Sequence, residues 1–208
     1  METPDTGPIR LVLAAGVDAE MVEDAALDLE WLLAAHWPAS KKRPYEDQYV
    51  GIDEETTISY LDDDLVDLRY LVIRGPLASA LADAASTMLP IRSASDALAD
   101  LERSFAAGAP ASALPAALLS ARADDRGAAA ALAIRAAAED ADAQSVLVLL
   151  ATYLDWPELW AEVRELAEKA TDADVRREAA VAAGVFRGLN EPASTTAETA
   201  AESREGTP

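Results

Sequence analysis

The sequence predicts a mostly α-helical fold, a stack of short helical hairpins preceded by one helix and a small β-hairpin. Three observations carry this. Alanine, the strongest helix former, makes up close to a quarter of the 208 residues. From Pro76 to about residue 189, apolar residues recur at steps of three and four, interrupted only by short linkers. Aromatic residues are 5% of the chain, so a core has to come from close helix approach rather than from large side chains. Hydrophobic residues at 51% and charged residues at 26% lie near the globular average, which makes such a core feasible.

Residues 1–8 carry no apolar pattern and are expected to be disordered. Ile9 to Ala15 is a short apolar run that fits a strand or a helix. From Asp18, a suitable N-cap, a helix is expected up to His36, because Val17, Met21, Ala25, Leu29, Leu32 and His36 recur at helical spacing. Trp37-Pro38 would end it, since a residue before proline avoids the α region. Residues 38–55 read as a polar connection. Thr56 to Leu61 and Val66 to Ile73 are rich in β-formers and flank an acidic turn, which predicts a two-stranded hairpin. A lone hairpin is marginal in water, so residues 9–75 are expected to act together as a cap.

Helices are then expected at Leu77 to Leu89 and from Ser93, whose hydroxyl can cap, to Gly108 and Pro110. A shorter helix follows from Ala111 to Ala121 with Pro115 in its first turn, and another begins at Asp125. Ala141 to Leu154 is apolar nearly all round and reads as an inner helix. Asp155 is expected to cap the next helix, with Leu159, Val163, Leu166 and Ala170 inward. A last helix follows Asp172 or Asp174 and buries Val175, Ala179, Ala182, Phe186 and Leu189. The helical part thus spans 76–189, and residues 190–208, without an apolar stripe, are expected to be a disordered tail.

The net charge of −21, from 38 acidic and 17 basic residues, disfavours nucleic acid and anionic membrane surfaces, which would be repelled. A basic protein partner is compatible with that field. Without cysteine there are no disulfides, thiolate metal sites or thiol nucleophile. No apolar run approaches the ~20 residues of a membrane span, and Met1 to Arg10 lacks a signal-peptide pattern, so a cytoplasmic location is expected.

The segment Asp172-Ala-Asp-Val-Arg-Arg-Glu-Ala-Ala-Val-Ala-Ala-Gly184 resembles the Asp-x-x-Val-Arg-x-x-Ala-x-x-Ala-Leu-Gly pattern of HEAT-like helical repeats. Asp124 to Ile134, with Arg126, Ala130 and Leu132, is a looser copy. The likeness covers roughly residues 111–189, and Arg126 and Arg176 are 50 residues apart, long for one repeat. It implies a curved stack offering one helix layer to a protein partner. The aspartate would cap its helix, the arginine would lean back on the preceding repeat, and the alanines would allow close packing.

Few residues stand out as candidate sites. Asp62, Asp63, Asp64 and Asp67 form an acidic turn that lacks the glycine and distal glutamate of an EF-hand loop, so contact with a basic partner is the better role for it. Trp156 and Trp160 share a helix face, with Tyr153 just before it; such a pair is usually core, yet tryptophan is also enriched at binding hot spots. His36, the only histidine, has no carboxylate orienter or nucleophile near it in sequence. No Gly-rich phosphate loop, Gly-x-Ser-x-Gly elbow or His-Glu-x-x-His motif is present.

The expected function is therefore a non-enzymatic protein-binding one, as adaptor or scaffold, with no cofactor, and with the oligomeric state left open. One alternative is an immunity or inhibitor protein against a basic toxin or nuclease. Another is an accessory subunit of the HEAT-like cofactor-attachment type, which would require a deep pocket lined by His36. Strand addition through Thr56 to Leu61 is a further route to self-association.

Overall fold

Five strands, rather than two, precede the helical region. The computed structural model describes residues 7–41 and 43–190, with side chains described as far as 186. The expected disordered ends, residues 1–8 and 190–208, fall almost wholly outside that range, as does Lys42. Strands β1 (Ile9–Val12), β2 (Leu32–Trp37), β3 (Tyr45–Val50), β4 (Thr57–Asp63) and β5 (Leu68–Arg74) form one antiparallel sheet in the order β1-β5-β4-β3-β2. Helix α1 (Ala19–Asp28) connects β1 to β2. After the sheet come α2 (Ala78–Met88), α3 (Ala94–Ala106), α4 (Leu114–Ser120), α5 (Arg126–Ala137), α6 (Ala141–Leu154), α7 (Pro157–Lys169) and α8 (Ala173–Asn190). About 53% of the described residues are helical, as the composition leads one to expect.

The expected hairpin is present as β4 and β5, but it forms the interior of the sheet. Two expectations upstream are corrected. The helix begun at Asp18, whose Oδ1 accepts the Met21 N–H at 3.0 Å, ends at Asp28 instead of His36. Its chain reverses through Glu30, at φ 55°, and residues 32–37 become an edge strand. The polar connection contains β3, whose acidic residues Glu46 and Asp47 disguise a strand. Strand addition through Thr56 to Leu61 is likewise overturned, because β3 and β5 already occupy both sides of β4. Of the two sheet edges, β1 is covered by the segment after α2, with Ala14 N–H bonded to Pro90 O and Arg92 N–H to Val12 O. β2 pairs only with β3 among the described residues.

Both faces of the sheet are buried where β1, β5 and β4 run. Leu11, Ile58, Tyr60, Leu71 and Ile73 pack with α1 and α2 in one cluster. Val12, Tyr70 and Val72 face the opposite way into a second cluster shared with α3 to α8. Successive side chains of a strand alternate faces, so the near-continuous apolar run of β5 serves both layers.

Every residue of α4 is buried, and it packs on α3, α5, α6 and β1, which makes it the hub between sheet and helices. Beyond it each helix touches its successor and the one after that: α4 with α6, α5 with α7, α6 with α8. Ala129, Ala130, Ala133, Ala136 and Ala137 on α5 are all buried, as close helix approach requires. The buried polar residues Ser120 and Gln144 are satisfied locally, Ser120 Oγ by Ala116 O at 2.6 Å and Gln144 Nε2 by Ala138 O at 3.1 Å.

Candidate functional site: an apolar groove at the end of the helical stack

Helix α8 is the last helix in the packing order, and among the described residues nothing covers its outward side. Between α6 and α8 opens a groove of about 1010 Å³. Val146, Leu149 and Thr152 of α6 form one wall, Val181 and Val185 of α8 the other, and Trp160 and Phe186 lie at its base. Val181 is 64% and Val185 61% exposed, unusual for two valines one turn apart on the same helix. The base is rigid. The Trp160 and Phe186 rings stack with centroids 4.2 Å apart at 22°, and the Trp160 indole N–H donates to Asp155 Oδ1 at 3.0 Å. Asp155, Arg177 and Glu178 are the charged residues at the groove, and Arg177 is held by Asp174.

Asp155 was expected to cap α7. It instead ends α6 in the left-handed conformation, φ 52°, and turns its carboxylate onto Trp160; Trp156 takes the N-cap position without a side-chain cap. An aspartate tolerates that backbone region better than most residues. Trp156 itself is buried, with the Arg126 guanidinium 5.2 Å above its ring and bonded to Glu158 Oε2 at 3.0 Å. Of the two tryptophans, Trp160 alone lines the groove.

The acidic turn does not act as one patch. Asp62 pairs with Arg69 Nε at 2.9 Å, and Asp64 and Asp67 are exposed, the latter at φ 52° in the turn. Asp63 points inward and is only 1% exposed, because the alternation of β4 puts it on the helix-facing side. It accepts the Leu65 N–H at 3.0 Å and the Tyr70 O–H at 3.3 Å. Tyr153, at the end of α6, comes up against it. Burial first, and then the Asp63 carboxylate, raise both phenols above the ordinary tyrosine pKa. The structure therefore joins Asp63 and Tyr153, far apart in sequence, and separates them from the rest of the acidic turn.

One constellation has no signal in the sequence. His36 of β2 lies opposite Asp47 of β3, and His36 Nδ1 is 2.6 Å from Asp47 Oδ1. The other oxygen of Asp47 accepts the Tyr45 O–H at 2.6 Å, a bond that is the largest cause of the raised Tyr45 pKa. Asp47 is thus the carboxylate orienter that sequence proximity did not reveal, since finding it requires recognising β3 and its register. His36 lines neither of the two cavities described. Among the described residues no group of three or more His, Asp or Glu is arranged to hold a metal ion, and no helix is long and apolar enough to cross a membrane. No protein-family model matches the chain, and neither does any curated protein or solved structure.

Proposed function

We propose that the chain is a protein-binding module whose groove between α6 and α8 receives an apolar segment of a basic partner. The observation that carries this is the pair Val181 and Val185, exposed on a rigid aromatic base. Burying two valines is worth about 1.5–3 kcal/mol each. The net charge of −21 would hasten encounter with a basic surface. Three local features support a HEAT-like stack as the scaffold. Asp172 Oδ1 caps α8 through the N–H groups of Asp174 and Val175 at 2.8 and 3.1 Å. Arg176 leans back onto the carbonyls of Ala170 and Thr171. The helices pack on their second neighbours as stacked layers do. In such a stack the outer face of the last helix is where another layer would sit, and here it is apolar.

The test compares the wild-type chain with the double variant Val181→Asp/Val185→Asp in affinity capture from native lysate. Both positions are exposed, so the melting temperature should stay within a few degrees. A partner captured by the wild type, lost by the variant and weakened in ~0.5 M salt is the expected result. Partners retained in full by the variant would sink the proposal.

A further inference from the structure

The helical layer covers only part of the sheet, and where it stops, a second cavity of about 280 Å³ lies between the sheet face and the end of α6. It is independent of the apolar groove and lies just below the roughly 300–1,000 Å³ range of sites for drug-sized molecules, which suits a smaller ligand. Ser59 of β4 and Val72 of β5 lie side by side in the ladder, and Arg10 of β1 pairs with Val72 from the other side. Arg74 follows two residues along β5, on the same face.

Among the described residues, three polar groups here have no acidic or side-chain partner. Ser59 lines the cavity, and its hydroxyl makes no side-chain hydrogen bond among the described residues, which leaves it available to a ligand. Arg10 donates through Nη2 to the Tyr153 carbonyl at 2.8 Å but has no carboxylate partner among the described residues. Burial and the neighbouring Arg74 charge both act against its charged form. Arg74 is exposed at the rim, again without a carboxylate partner among the described residues. In a chain with 38 acidic residues, two adjacent arginines left without a carboxylate mark a place suited to an anion from outside. Glu46 and Asp63 line other parts of the wall, and Asp63 is occupied by Tyr70. Their charge disfavours a ligand that is anionic at both ends.

We propose that this cavity binds a small ligand with an anionic head, carboxylate or phosphate, held by Arg10, Arg74 and the Ser59 hydroxyl, with a neutral or cationic group toward Glu46. Arginine offers paired donors that fit either head. The volume admits a molecule of amino-acid or sugar-phosphate size.

The experiment titrates the full chain with inorganic phosphate and, separately, with acetate, at constant ionic strength and millimolar probe, followed by amide NMR shifts. Saturable shifts at residues of β1, β4 and β5 around Arg10, Ser59 and Arg74 are expected. Saturation by phosphate alone identifies a phosphate head, by acetate alone a carboxylate head, and by both a site that reads charge. Arg74→Gln and Ser59→Ala should each weaken binding, the first by about tenfold or more. Arg74 is exposed and has no carboxylate partner among the described residues, so its substitution should leave the melting temperature unchanged. Absence of saturable shifts with both probes overturns the proposal, as does binding that neither variant alters. Neither outcome bears on the α6–α8 groove, which the Val181 and Val185 variants test separately.

Discussion

Thr56 shows how one side chain can tie together segments that its sequence neighbourhood does not. It is fully buried at the entry to β4. Its N–H and hydroxyl both donate to Asp53, at 2.9 and 2.6 Å, closing the turn after β3. Its hydroxyl oxygen also accepts the Leu77 N–H at 3.0 Å, at the start of α2. The hydroxyl bond is the largest reason that Asp53 titrates below the ordinary aspartate value. Thr56→Val keeps the shape but removes the donor and acceptor, stranding the Leu77 N–H and half of the Asp53 carboxylate. We expect a loss of about 1–3 kcal/mol in urea unfolding, most of it recovered by Thr56→Ser. Equal stability of the valine variant would show that water replaces the hydroxyl. In sequence Thr56 reads only as a β-former, because the partner that gives it its role, Leu77, lies 21 residues on. Asp63 was singled out for its charge, and only the strand alternation reveals that it is buried.

Two helix ends explain which elements the sequence discloses and which it hides. Helix α3 closes with Ala109 N–H bonded to Ser104 O and Gly108 N–H to Phe105 O, with Gly108 at φ 75°. Helix α1 closes in the same way: Trp31 N–H bonds to Ala26 O and Glu30 N–H to Leu27 O, with Glu30 at φ 55°. Both are Schellman ends, which usually place glycine at the left-handed position. The α3 stop is legible because glycine is there. The α1 stop is not, because glutamate is, and Leu32 and His36 continue the helical spacing by coincidence. That concealed stop also hid β2, and with it the pairing of His36 and Asp47. Where conventional signals coincide with burial the elements were readable, α6 to the residue and the β4–β5 hairpin to within two residues at each end. Glu30→Gly removes the left-handed penalty and should raise stability by about 1 kcal/mol. Gly108→Ala should lower it by a similar amount. Denaturant midpoints at unchanged m-value would measure both, and a destabilised Glu30→Gly would mean that the Glu30 side chain makes a contribution exceeding its backbone strain.

At the scale of the molecule, the sheet is enclosed between helices because β1 pairs with β5, joining residues about 60 positions apart. No local pattern announces such a pairing, so a sequence with a legible hairpin and legible helices still conceals the layer that unites them. The same enclosure governs the tyrosines. All five, Tyr45, Tyr49, Tyr60, Tyr70 and Tyr153, resist ionisation. Burial is the largest cause in each case but Tyr45, where the bond to Asp47 leads. Tyr49 and Tyr60 are pushed up to about 12 from the ordinary 10, and the other three lie above them. Below pH 10 the phenols are neutral in both folded and unfolded chains, and the stability linked to them is fully present. Between pH 10 and 12 the unfolded chain releases phenolic protons that the folded chain retains, so stability falls as pH rises. The net charge of −21 adds self-repulsion in the same direction, which salt screens. Tyrosinate absorbance should therefore stay low past pH 10 and then rise together with the loss of helical circular dichroism, at a pH that added salt moves upward. Five phenols titrating near pH 10 with the helices intact would mean that the sheet faces are open to water, and that the enclosure on which the cavity at the sheet face rests does not hold in solution.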